Sequence, residues 1–188
     1  MRVIAGSAKG LQLQPVPGSG TRPISDRVKE SVFNILGDWI IGARVLDLFA
    51  GTGSVGIEAL SRGAAEVTFV ERYSGAVSVI RNNLRHTRLQ AGARVVQADV
   101  FRYLEGEPEA FDLVYIAPPQ YQGLWKATLL ALETNPGWLL PDGLAIVQIF
   151  PKEFEPLSLA RLELTDERKY GSTLLCFYEP ATPPGGLG

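Results

Sequence analysis

Apolar and polar positions fall into two kinds of block along this chain, and the order of the blocks predicts an α/β protein. Runs rich in Val, Ile, Leu and Phe occupy residues 44–48, 66–70, 94–97, 111–116 and 144–149. Each is too short for a helix and is bounded by Gly, Pro or Asp, the mark of buried strands. Between them, apolar residues recur at helical spacing over 54–61, 74–89 and 124–134, with a short helix near 101–104. Repeated strand–helix units predict a mainly parallel, Rossmann-like sheet with helices on both faces. Two last runs, near 161–169 and 172–179, flank Tyr170-Gly171 and predict an antiparallel terminal hairpin.

Upstream of this alternation the pattern is different. Residues 2–15 alternate around Gly6-Ser7-Ala8-Lys9-Gly10, which predicts a short hairpin over a glycine turn. Pro15, Pro17, Gly18 and Gly20 then make a loop, and Ser25 is placed to cap a helix with Val28, Val32, Ile35 and Leu36 on one face. Three parts follow: a hairpin-and-helix extension over 1–41, an α/β body over 42–180, and a tail over 181–188 expected to be disordered. No internal repeat is visible.

A chain of 188 residues with 46% hydrophobic and 20% charged residues is sized and composed for one globular domain. Its one cysteine, Cys176, excludes an intramolecular disulfide, offers no metal cluster and fits a reducing, cytoplasmic compartment. Cys176 lies in an apolar run and is expected as a buried thiol, and Trp39, Trp125 and Trp138 are expected in the core. His86 is read as a surface residue. No run is long enough to cross a bilayer, and residues 1–6 do not read as a signal peptide.

The net charge of −2 changes meaning when it is divided. Residues 1–44 hold Arg2, Lys9, Arg22, Arg27, Lys29 and Arg44 against Asp26, Glu30 and Asp38, leaving twelve basic against seventeen acidic side chains elsewhere. A basic start joined to an acidic body points to a polyanionic partner, or else to a solvated face of scattered charge.

The densest chemical signal is Val45-Leu46-Asp47-Leu48-Phe49-Ala50-Gly51-Thr52-Gly53-Ser54-Val55-Gly56. It reads as strand, tight glycine turn and helix start, the build of a nucleotide pocket. Gly51 to Gly56 spells GxGxxG, so a dinucleotide dehydrogenase must be considered. Asp47, four residues before the first glycine, argues otherwise, because a carboxylate at the strand end needs a cationic partner rather than a pyrophosphate. The spacing D-x-x-x-G-x-G matches the S-adenosylmethionine loop, whose ligand carries an ammonium and a sulfonium. A close-packing loop without a ligand is the bland alternative.

Further acids end the next two strands. Glu71 can accept both ribose hydroxyls of a nucleoside, and Asp99 can accept the adenine amino group, although either could instead cap a helix. The candidate cofactor contacts are therefore Asp47, Phe49, Ala50, Gly51, Thr52, Gly53, Glu71, Arg72, Asp99 and Val100. The fourth strand runs into Ala117-Pro118-Pro119-Gln120-Tyr121, where two prolines rigidify the exit. Methyltransferases that modify exocyclic amines typically carry D/N-P-P-Y/F at this place, with an acceptor for the amine hydrogens and a ring that stacks on an extruded base. These five residues are the candidate catalytic set.

Taken together, the chain resembles the bacterial 16S ribosomal RNA guanine-N2 methyltransferases of the RsmD type. The resemblance rests on residues 1–6, on Thr21-Arg22-Pro23-Ile24-Ser25-Asp26-Arg27-Val28-Lys29-Glu30, on the Asp47 glycine loop, on Gly56-Ile57-Glu58-Ala59-Leu60-Ser61-Arg62-Gly63 and on Glu71. It implies a seven-stranded class I methyltransferase fold with an N-terminal extension facing RNA, S-adenosylmethionine as donor, and a guanine of small-subunit RNA as acceptor. The partner would be ribosomal RNA, the small subunit or an assembly intermediate, with no metal or membrane involved. Arg2, Lys9, Arg22, Arg27 and Lys29 would then help hold the RNA. The chain departs from the family at the catalytic motif: Ala117 replaces the usual Asp, and Tyr121 stands one place late, after Gln120. That departure leaves open a non-catalytic RNA-binding protein, or a methyltransferase with another acceptor.

Overall fold

The computed structural model describes residues 1–18 and 23–183. Its strands are β1 (Arg44–Leu48), β2 (Glu66–Glu71), β3 (Ala93–Gln97), β4 (Phe111–Ile116), β5 (Leu139–Ile149), β6 (Leu162–Tyr170) and β7 (Thr173–Pro180). They form one sheet in the order β3-β2-β1-β4-β5-β7-β6. β1 to β5 are parallel, and β7 runs antiparallel between β5 and β6. The helices are α1 (Asp26–Leu36), α2 (Ser54–Ser61), α3 (Ser74–Thr87), α4 (Val100–Leu104) and α5 (Leu124–Thr134). The expected α/β fold with its antiparallel terminal hairpin is the one observed.

Helices cover both faces of the sheet, so the central strands read as continuous apolar runs. α1, α2 and α3 pack on one face with the N-terminal hairpin, and α4 and α5 on the other. Successive side chains of β1 alternate between these two cores: Val45 faces the first, Leu46 and Leu48 the second. Asp47 thus points to the Val45 side, under α2. Trp125 and Trp138 are buried, and burial pushes the Cys176 thiol up to about 12, which leaves it unreactive.

Three expectations need correction. Trp39 is 42% exposed because it lies in the 3-10 turn Gly37–Ile40, which turns only Ile40 inward. β5 begins at Leu139, not near residue 144: a register shift pairs Phe111 with Leu139 but Leu113 with Leu144, so Pro141-Asp142-Gly143 is absorbed as an irregularity within the strand. The hairpin of residues 2–15 is reduced to one bridge, Arg2 with Gln12, reinforced by the Val3 N–H on Leu11 O and the Gly10 N–H on Val3 O. Its turn rests directly on α2, where a Cβ at Gly6 would fall 1.8 Å from the Ser61 carbonyl oxygen. Only glycine fits that approach.

Helix α2 crosses the sheet equally closely at Gly56. A Cβ there would lie 2.3 Å from the Phe69 ring and 2.8 Å from Val67, both fully buried. Gly56→Ala is therefore expected to lower stability by about 1–3 kcal/mol despite its better helix propensity. A urea midpoint equal to wild type would show that the ring can yield.

Candidate active site

β1 ends at Leu48, and the chain turns into α2 through Phe49, Gly51 and Gly53, all with φ near +60 to +77. Two of these are glycines, for which that conformation is free; Phe49 adopts it under strain of order 1 kcal/mol, a cost that clusters at functional loops. The Phe49 ring lies edge-on to Phe101 at 6.5 Å. Ala50 is buried and donates its N–H to Val70 O, which ties the loop to β2.

Asp47 is 2% exposed, and among the described residues a single hydrogen bond reaches it, from the Gly56 N–H to Oδ2 at 3.2 Å. Burial pushes its carboxyl up to about 8; the Gly56 N–H pulls it back and the Glu71 charge adds to the rise. A buried carboxyl beside an open glycine turn, with one N–H for a partner, makes Asp47 a candidate site residue.

Glu71 closes the other side of the loop. Its Oε2 accepts from the Gly51 N–H at 2.9 Å and its Oε1 from the Tyr73 N–H at 3.0 Å. Each oxygen is thereby oriented and keeps a further lone pair. Asp99 takes the helix-capping role: its Oδ1 accepts from the N–H groups of Phe101 and Arg102 at the start of α4. The Val100 side chain is buried in the second core, and Arg72 is exposed and stacks over Tyr73 at 5.1 Å.

The second loop of the site follows from sheet register. Leu48 pairs with Ile116, so residues 49–53 and 117–121 leave neighbouring strands side by side. β1 and β4 flank the point where the strand order reverses, the crevice at which open α/β sheets bind ligands. Pro118 is buried and Gln120 exposed, and the Ala117 methyl packs against the first core. Tyr121 is 66% exposed with φ 59. Its N–H donates to Glu153 Oε1 at 2.7 Å, and its ring stacks on Phe150 at 5.4 Å and 17°. Glu153 Oε2 also accepts from the Phe150 N–H. The displaced aromatic is thus held in a definite place by two residues that the sequence reading missed. Nothing local marks them; they meet Tyr121 only because β5 lies beside β4.

The basic residues separate. Arg2, Lys9 and Arg27 are exposed, Arg2 facing Asp26 at 3.6 Å, whereas Arg22 lies outside the described residues. Lys29 does not belong to an outer basic surface: it is 0% exposed. Its ammonium donates to Arg2 O at 2.6 Å and Ser54 Oγ at 3.0 Å and stands 3.5 Å from Glu58 Oε2. The four-residue spacing from Ser25 puts Lys29 on the inner side of α1 beside Val28 and Val32, where burial holds its pKa below the ordinary lysine range despite the pull of Glu58. Glu58, also fully buried, accepts from the N–H groups of Ile4 and Ala5 and from Arg62 Nε at 2.8 Å.

Asn83 is a further residue that the sequence reading did not single out. Fully buried on α3, it donates to Thr52 O and Gln14 O and accepts from the Gln14 N–H. A signal was present, since Asn83 interrupts the apolar stripe of Val79, Ile80 and Leu84. Through Asn83 and Lys29 the extension is fastened to the glycine turn from two sides.

A family model described as conserved hypothetical protein 95 matches residues 1–179. The chain belongs to this family. It is 39% identical over 183 residues to the Bacillus subtilis protein named "Putative rRNA methyltransferase YlbH", covering 95% of this chain and 98% of the relative. Identity to ribosomal RNA small subunit methyltransferase D of Escherichia coli K12 is 37% over 181 residues, 95% of this chain and 89% of that one. A solved structure titled "Putative methyltransferase yhhF from Escherichia coli" superposes with a TM-score of 0.86 at 35% identity, covering 96% and 97% of the two chains. The family is the one that the motifs resemble. Among the described residues no helix is long and apolar enough to cross a membrane, and no group of three or more His, Cys, Asp or Glu could hold a metal ion.

Proposed function

We propose that this chain is an S-adenosylmethionine-dependent methyltransferase acting on the exocyclic N2 of a guanine in small-subunit ribosomal RNA. What supports the reading is the pairing of Leu48 with Ile116, which sets the glycine loop with its buried Asp47 beside the proline loop. The donor fits the residues present. Asp47 would take its ammonium, the glycine turn its amino-acid portion, and the two pre-oriented oxygens of Glu71 its ribose hydroxyls. Bound there, the cofactor supplies an electrophilic methyl group on a sulfonium.

This chain's own contribution is positioning and exclusion of water. The carbonyls of Ala117 and Pro118, stiffened by the two prolines, offer acceptors for the amine hydrogens in place of the absent side-chain acid. Accepting them turns the nitrogen lone pair out of conjugation, and the surplus proton leaves to solvent after transfer. The Tyr121 ring, already stacked on Phe150, gives the extruded base an aromatic plane.

Single-turnover labelling with tritiated donor and under-methylated small subunits tests the proposal. Label in N2-methylguanosine is expected. Label in another nucleoside would overturn the acceptor, and no label with normal donor binding would make the chain a binding protein. Tyr121→Ala should slow transfer by about 10- to 100-fold through lost stacking, with donor affinity unchanged.

A further inference from the structure

The acidic body of the chain hides a basic element. Residues 72–98 contain no Asp or Glu, yet hold Arg72, Arg81, Arg85, Arg88 and Arg94 in a protein of net charge −2. Arg81, Arg85 and Arg88 are exposed along α3 and its C-terminal cap. Among the described residues none of the three has an acidic group within ion-pair distance, whereas Arg94 is held by Glu109 at 2.8 Å. Among the described residues their only side-chain hydrogen bond is Arg85 to the neutral Asn82. Arg81 and Arg85 also line an open groove together with Gln90, Ala93 and Val95, beside β3, an edge strand of the sheet.

The position matters as much as the charge. Asn83, on the inner side of the same helix, is bonded to Gln14 of the extension and Thr52 of the glycine turn. The helix that carries the arginine row is therefore bonded to both. Exposed arginines without carboxylate partners are fitted to phosphate, which their planar fork binds in bidentate fashion.

We infer that Arg81, Arg85 and Arg88, with the groove between α3 and β3, form a second RNA-binding surface that grips the phosphate backbone away from the reacting nucleotide. The inference rests on the proposed RNA substrate and adds to it where that substrate lies. The RNA path runs from the cofactor edge of the sheet, past the hairpin, and down the β3 side. Contacts here are to backbone, so they supply affinity and register and carry no base preference.

The test is a salt titration of binding to a small-subunit RNA fragment, read by fluorescence anisotropy. The variant Arg81→Gln/Arg85→Gln/Arg88→Asn removes three charges; asparagine suits the left-handed φ of 59 at position 88. A control, Arg161→Gln/Arg168→Gln/Lys169→Gln, removes three from the opposite side of the sheet, at and beside β6. The α3 variant should flatten the slope of log K against log salt by about 2–3, with affinity down at least tenfold at low salt. Its affinity for the demethylated donor product should be unchanged, and the control should keep the wild-type slope. Equal slopes for wild type and the α3 variant, in a protein that binds and methylates the RNA, would overturn the inference and leave the proposed function standing. Equal losses in variant and control would also overturn it, as an effect of net charge alone. A wild-type protein that neither binds nor methylates the RNA would overturn both.

Discussion

Lys29→Met is expected to lower the stability of the protein by about 3–5 kcal/mol, the largest loss of any single substitution considered. Removing the ammonium breaks an ion pair in which both partners are fully buried, and leaves the Arg2 carbonyl and Ser54 hydroxyl without their donor. Methionine keeps the length of the stem, so cavity formation adds little. Glu58 retains Arg62 and two backbone N–H groups, which places the loss toward the lower end of that range. Urea denaturation measures it. In the double variant Lys29→Met/Glu58→Gln the losses should be less than additive, because the second substitution removes the charge left underpaired by the first. A loss below about 1 kcal/mol in Lys29→Met would mean that the pair sits in effectively solvated surroundings. Because Ser54 opens the helix behind the glycine turn, a weaker hold on donor product should accompany the stability loss.

The second large effect is a pH dependence of donor binding set by Asp47. Without ligand its carboxyl has been raised to about 8 and is mostly neutral at pH 7. A ligand ammonium favours the charged form, so binding below pH 8 expels one proton. Affinity for the demethylated product should then rise about tenfold per pH unit between pH 6 and 8, then fall at higher pH as the ligand's own amino group deprotonates. Calorimetry in two buffers of different ionisation enthalpy reads the expelled proton directly. Asp47→Asn should abolish the proton release and flatten the acid limb. Release of a full proton by that variant would assign the linkage to another group. The same raised pKa has a stability consequence of opposite sense to an ordinary salt-bridged carboxylate. The folded form holds a proton that the unfolded chain has lost, so stability without ligand should decline as pH rises from about 4 to 8.

Both predictions depend on partners distant in sequence, and that is where reading the chain alone ran short. The strand and helix boundaries around Asp47 came out close to the observed ones, because every central strand is buried on both faces and helical spacing is unambiguous over 54–61 and 124–134. The glycine turn and its two flanking acids were equally visible, being local patterns with a fixed geometry. Lys29 was misplaced by the same local logic. A lysine in a basic stretch reads as exposed, and only the presence of a buried carboxylate from another helix reverses that. Trp39 failed for a related reason, since one 3-10 turn redirected a residue that composition assigned to the core.

By itself, the sequence determined the α/β order, the glycine loop flanked by Asp47 and Glu71, the family, and the departure at Ala117, all of which are carried by contiguous residues under short-range steric and hydrogen-bonding rules. The tertiary structure alone decided which of those residues are neighbours. Strand register placed the proline loop beside the glycine turn, and the β4–β5 pairing supplied Glu153 and Phe150 as holders of Tyr121. Packing of α1 on α2 turned Lys29 inward to Glu58, and Asn83 joined three segments that are far apart along the chain. Burial and pairing belong to the folded arrangement: a charge's role follows from what faces it, and a linear pattern does not contain that partner.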